Sequence, residues 1–326
     1  MRETLRPTAD LHADTLLECF LKDLAFSENP CEIDIQKLKA GGARMQCFAA
    51  FIPTHGDAAR LGIRDDGYTL FHKLTARYAA ELEKNRDTLL PVLSAEDMDR
   101  ALTEDKTGAM LTAEDMGAVL DGHAERLEEA YRAGVRMMTF TWNYENCLGY
   151  PNSRDADVMK RGLKPFGFEM LEAAESLGIA ADVSHLSDGG FRDIAAHAKK
   201  PFAASHSCCR ALCDHPRNLS DEMLRALADK GGVAGVNFFG EFLRADAPRY
   251  VTPELVTDHI LHMLEVGGED LPALGSDYDG MDSTLAWKDI SGTGMLIRAL
   301  EARGLSDRVI DKICFGNVRR FFREIM

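Results

Sequence analysis

Residues 165–206 read PFGFEMLEAAESLGIAADVSHLSDGGFRDIAAHAKKPFAASH, and their order decides the fold. Pro165–Leu177 has the amphipathic spacing of a helix. Gly178 stands just past its end, where a helix commonly closes on a left-handed residue. Ile179–Val183 is then near-continuously apolar, as a strand buried on both faces must be. Asp188–Ala198 predicts a second helix and Pro201–Ser205 a second strand. Each strand runs straight into a histidine, His185 and His206.

The same alternation extends in both directions. Further apolar, β-branched runs lie at Thr8–His12, Ala43–Ile52, Gly108–Thr112, Val135–Trp142, Gly232–Phe239 and Leu271–Gly275, which makes eight. Helical segments separate most of them: Tyr68–Lys84, Ala95–Leu102, His123–Ala133, Asp221–Lys230, Pro253–Val266, Gly292–Arg303 and Ser306–Ile325. In Tyr68–Lys84 the apolar Leu70, Phe71, Leu74, Tyr78 and Leu82 fall at helical spacing. Ser94 and Ser220 precede helical runs and suit N-caps; Gly134 and Gly304, like Gly178, suit C-terminal ends. Pro53–Gly67, rich in Gly and Asp, reads as a loop or an irregular excursion. Eight strand–helix repeats predict an α/β protein folded as one (β/α)8 barrel over residues 1–326. An open doubly wound sheet is disfavoured, because no Gly-rich phosphate loop follows the first strand.

Catalytic groups of such a barrel come from the C-terminal ends of its strands. Five of the eight ends carry candidate ligands: Asp10-Leu11-His12-Ala13-Asp14, Thr112-Ala113-Glu114-Asp115, Ser184-His185, Ser205-His206-Ser207 and Gly275-Ser276-Asp277-Tyr278-Asp279. His12 and Asp14 are two apart, so in a strand both side chains point to one face and can reach one cation. Imidazole with carboxylate suits zinc first, with manganese or cobalt also possible. Glu114 has two oxygens with which to bridge a pair of ions, and Asp115 competes for that role. No lysine stands near the end of the third or fourth run to serve as a carboxylated bridge.

These residues carry a resemblance. The chain resembles the renal (membrane) dipeptidase family of zinc peptidases, a branch of the amidohydrolase-like barrels, from Asp10 to about Phe322. The matching segments are Asp10–Asp14, Asp182–Asp188, Ser205–Ser207, His215–Leu219, Gly235–Phe238 and Gly275–Gly280. The resemblance implies two divalent ions, with His12 and Asp14 on one, His185 and His206 on the other, and Glu114 between them. It implies that Arg217 grips the terminal carboxylate of a dipeptide, since a planar guanidinium matches a carboxylate bidentately. It also implies that Asp277 handles the proton of the attacking water, that a D-residue is tolerated at the second position, and that the chain can form a homodimer.

Two departures from the family pattern stand out. Trp142 occupies the place of a histidine after the fourth strand, so that either Trp142 N–H or its neighbour Asn143 supplies the contact that histidine would make to the developing oxyanion, or the chemistry is altered. Glu114-Asp115-Met116-Gly117 replaces a glycine pair after the bridge. Trp142 keeps open another amide hydrolase, such as an N-acyl amino acid deacylase; a catalytically impaired metal-binding barrel is a further alternative.

The remaining signals are weaker. The chain has 38 basic and 53 acidic residues, net −15. Such a surface repels a phosphate backbone and disfavours nucleic acid as a partner. The N-terminus lacks the apolar core of a signal peptide and no run approaches a membrane span, so the expected location is the cytoplasm, with no membrane partner. The eight cysteines include no CxxC pair and are expected as reduced thiols. His259 and His262 lack the glutamate of a zinc-protease helix and are expected on a solvated helix face.

Overall fold

The computed structural model describes residues 5–326. Eight parallel strands close into a barrel: β1 (Thr8–Asp10), β2 (Ala43–Phe51), β3 (Thr107–Glu114), β4 (Val135–Thr139), β5 (Ala180–Asp182), β6 (Ala203–Ala204), β7 (Val233–Val236) and β8 (Pro272–Leu274). Each pairs with its sequence neighbour, and β1–β8 pairing joins the ends. All eight match predicted runs. β2 and β3 share the longest register, Met45↔Gly108 through Phe51↔Glu114, which carries Glu114 to the rim. A ninth short strand, Leu89–Pro91, pairs only with the start of β3 and lies outside the eight.

The predicted helices form between the strands. Pro165–Leu177 is found with these same ends, and Gly178 follows in the left-handed region at φ 81°. Ser94 builds a capping box with Asp97, and the Ser220 hydroxyl accepts from the Met223 N–H. Three expectations are corrected. Pro53–Gly67 is not all loop, since His55–Arg60 makes a short helix over the mouth of the barrel. Two helices unmarked in the sequence pattern, Thr15–Leu21 and Ile35–Gly41, link β1 to β2. Ser306–Ile325 is divided by a π-turn at Lys312–Gly316, leaving Asn317–Ile325 as the last helix.

Two apolar clusters fill the molecule. The larger packs the strands against the surrounding helices. The smaller takes at least one residue from every strand (Ala9, Met45 and Cys47, Met110, Met137, Ala180, Ala203, Val233, Ala273) and seals them beneath Phe315, Val318, Phe321 and Phe322. That end of the barrel is closed by the C-terminal segment, so a site has only the opposite end in which to form.

Candidate metal centre

The five predicted ligands and Asp277 converge at the C-terminal end of the barrel. His12 and Asp14 leave β1, Glu114 ends β3, His185 follows β5, His206 follows β6 and Asp277 follows β8. Glu114 lies between two groups. Its Oε1 is 2.9 Å from His185 Nε2 and 3.5 Å from His206 Nε2, while its Oε2 is 3.5 Å from His12 Nε2. His12 Nε2 is also 3.4 Å from Asp14 Oδ2 and 3.7 Å from Asp277 Oδ1. The ligand atoms of His12, Glu114 and His206, and those of His12, Asp14 and Asp277, form two sets lying within 4.8 Å.

The surroundings fix the imidazoles of His185 and His206 with a nitrogen free to coordinate. His206 Nδ1–H donates to Ser205 Oγ at 2.6 Å, and that hydroxyl donates in turn to Asp182. His185 Nδ1–H donates to Asn143 Oδ1 at 3.2 Å. These outer partners set the tautomer, as they do for most metal-bound histidines. The two Nε2 lone pairs then face each other at 3.0 Å. Burial holds both rings well below the ordinary histidine range, so each is neutral, with its single N–H on Nδ1 and none on Nε2. Two neutral acceptors at this distance repel unless a cation lies between them.

The electrostatics make the same demand. Burial opposes a charge on His12, yet the carboxylates of Glu114, Asp14 and Asp277 outweigh it and raise the ring to about 10. Burial also pushes Glu114 well above the carboxylate range, with Asp14 and Asp277 adding to it. His12 Nε2 and Asp14 Oδ1 are buried and have no hydrogen-bond partner. Buried polar atoms are otherwise almost always satisfied. Surplus carboxylate, converging lone pairs and two orphaned atoms are what a site built for divalent cations leaves when described by its protein atoms alone.

The other predicted residues surround this centre. Trp142 and Asn143 line a cavity of about 410 Å³ together with Phe51, Asp57, Phe239 and Asp277. The Trp142 ring lies 4.8 Å from Phe51 and 6.2 Å from His185. Arg217 is buried beneath His206. Its Nη2 donates to the His206 carbonyl at 3.0 Å and its Nη1 to Ser207 Oγ at 3.1 Å, while its Nε has no partner.

Several further residues, to which the sequence alone assigns no role, contribute to the site. Asp10 accepts from Ser276 N–H at 2.8 Å and from the Ser276 hydroxyl, tying β1 to β8 under His12. Asp182 does the same between β5 and β6, accepting from Ser205 N–H at 2.9 Å and Thr139 Oγ1 at 2.9 Å. A lone aspartate inside an apolar strand run was the available signal for both. Asn237 donates to Asp277 Oδ2 at 2.8 Å and leaves the other oxygen toward His12. At Gly280 a Cβ would collide with Asp14 Oδ2, so glycine alone permits this approach. Glu32, far away in sequence, accepts from Asp279 N–H at 2.8 Å.

The helix histidines are corrected in part. His259 is buried rather than solvated. Its Nδ1 accepts from Cys209 N–H at 3.0 Å and its Nε2–H donates to the Leu243 carbonyl at 2.8 Å. His262 pairs with Asp221 at 2.7 Å. All eight cysteines are free thiols. Among the described residues no helix is long and apolar enough to cross a membrane.

Known proteins share this architecture. A Klebsiella pneumoniae protein from the pqqA 5′ region is 39% identical over 72% of this chain and 88% of its own. An uncharacterized dipeptidase of Schizosaccharomyces pombe is 32% identical over 61% of this chain, and the match spans 48% of that longer protein. A metallopeptidase of Rhodobacter sphaeroides, solved with a phosphinate mimic of the dipeptide L-Ala-D-Ala, superimposes with a TM-score of 0.89. It covers 99% of this chain and 100% of its own at 21% identity, a likeness of fold. The model of the membrane dipeptidase family matches residues 3–326. On that match, together with a barrel whose rim gathers side chains able to hold a metal ion, the chain belongs to the membrane dipeptidase family, peptidase family M19.

Proposed function

We propose that this chain hydrolyses the peptide bond of dipeptides with two divalent ions, zinc being the first choice. One observation carries the reading: the two oxygens of Glu114 face different ligand groups, Oε1 toward His185 and His206 and Oε2 toward His12. A carboxylate so placed fits between two cations. His12 and Asp14 would hold one and His185 and His206 the other. When bound, such ions acidify a water and polarise a carbonyl.

The protein supplies the rest. Asp277, fixed by Asn237 through one oxygen, would take the proton of the attacking water on Oδ1 and pass it to the leaving amine. Its left-handed backbone, φ 65°, is fixed in part by its N–H donating to the His12 carbonyl. Arg217 would anchor the terminal carboxylate, its guanidinium lying within electrostatic reach of Asp277 and Glu114. Trp142 would wall the cavity. Asn143 Oδ1 is engaged by His185, so its Nδ2 is the remaining donor for the developing oxyanion. The Rhodobacter sphaeroides peptidase of the same fold was solved with a mimic of L-Ala-D-Ala, which supports a D-residue at the second position. The cytoplasm, a homodimeric state and a single barrel domain belong to the same proposal.

Trp142 in the place of histidine favours one second reading, an N-acyl amino acid deacylase. A panel of L,L and L,D dipeptides beside N-acylated amino acids, assayed with zinc, separates the two. Turnover confined to dipeptides is expected, with a strongly raised KM in Arg217→Ala. Turnover confined to N-acyl substrates, or an unchanged KM in that variant, would overturn the dipeptide assignment.

A further inference from the structure

Asp115 follows the bridge and takes no part in the reaction drawn above, yet it is held in a costly conformation. It lies at φ 62°, ψ 54° and is 1% exposed. Glycine adopts the left-handed region without the steric cost that a side chain brings. What the aspartate adds is its carboxylate. Oδ1 accepts from Asn146 Nδ2 at 2.7 Å, and the backbone N–H groups of Ala118 and Trp142 face the same group.

Asn146 is a hub. Its Nδ2 also donates to the Phe140 carbonyl at 2.8 Å, and its Oδ1 accepts from the N–H groups of Leu148 at 2.8 Å and Gly149 at 3.3 Å. One side chain thus joins both ends of segment 140–149, the loop that carries Trp142 and Asn143. At Gly117 a Cβ would strike the Asn146 amide, so the residue two after Asp115 has to be small for this hub to fit. Both departures from the family pattern meet here: the segment Glu114–Gly117 grips the loop that bears Trp142.

We propose that Asp115 is a positioning residue, which through Asn146 fixes the loop bearing Trp142 and Asn143 at one height over the metal centre. Asn143 in turn holds the His185 ring, and Trp142 walls the substrate cavity. The kinetic part of this inference rests on the dipeptidase reading.

The test uses the full-length, zinc-loaded protein and two readouts. Asp115→Gly removes the carboxylate and relieves the backbone. It is expected to fold and keep its zinc, and to lose about ten- to a hundred-fold in kcat/KM on the preferred dipeptide, mainly through KM. Acrylamide quenching of tryptophan fluorescence should rise, because Trp142 borders the cavity while Trp287, the other tryptophan, is 4% exposed. Asp115→Asn keeps an acceptor oxygen and should recover most of both losses. Should Asp115→Gly not fold, Asn146→Ala cuts the same link from the other side with the same expectations. Quenching needs no substrate, so it decides the matter even if the protein turns over no dipeptide. Unchanged quenching in the variant that folds overturns the proposal.

Discussion

The two ends of the barrel are built from the same eight strands to opposite specifications. At the closed end each strand contributes at least one apolar side chain, and the C-terminal segment seals them under phenylalanines. At the open end the same strands finish in His12, Asp14, Glu114, His185, His206 and Asp277. Three buried polar atoms there, His12 Nε2, Asp14 Oδ1 and Arg217 Nε, are unpartnered, and Asp115, His185, Asp277 and Asp279 occupy the left-handed region. The difference teaches where the free energy resides. The closed end supplies stability, and the open end expends part of it on backbone strain and on surplus carboxylate charge, the second of which a bound cation would offset.

The sharpest way to break this contrast is to remove a ligand. His206→Ala takes away one of two facing lone pairs and leaves the closed end untouched. It is expected to abolish turnover while the far-UV circular dichroism stays that of the parent and the metal-free unfolding temperature changes little. Turnover that persisted with the ion fully lost would refute the need for a two-ion centre.

The converse substitution belongs at the other end. Phe322 is fully buried against the strand interior. Phe322→Ala should cost about 3–5 kcal/mol in denaturant unfolding. The activity of each folded, metal-loaded molecule should remain unchanged. A parallel fall in kcat would show that the two ends are mechanically coupled and that their division of labour is wrong.

The same contrast governs what the sequence made legible. The barrel showed itself because strands buried on both faces must be continuously apolar, and because His12, Glu114, His185 and His206 interrupt those runs at their ends. What stayed hidden is held by contacts that no local pattern encodes. Leu89–Pro91 is too short to signal a strand and pairs only with the start of β3. Segment 140–149 is shaped by Asn146, whose partners come from both of its ends and from Asp115. His259 looked like a surface histidine because helical spacing says which face a residue is on but not what covers it; here the residues around Cys209 and Leu243 cover it.

Glu32 offers the finest test, since it lies beside the open end without being placed in the reaction. Burial is the main cause that raises its carboxyl to about 8, and the charges of Asp279 and Asp277 add to it against the opposing Asp279 N–H. An unfolded glutamate titrates near about 4.3. Between these values the folded protein keeps a proton that the unfolded chain has released, so this group's stability contribution is complete at low pH and is lost as pH rises toward about 8. Glu32→Gln removes the titration, and its amide oxygen can still accept from Asp279 N–H. The unfolding temperature of the variant should therefore gain on the parent as pH rises across that window and then level off above about 8. The comparison belongs on zinc-loaded protein, where bound ions offset Asp277 but leave burial in place. A gap that is constant with pH would mean that Glu32 is already ionised in the fold, and that the surplus negative charge of the open end extends further from the metal centre than its buried ligands.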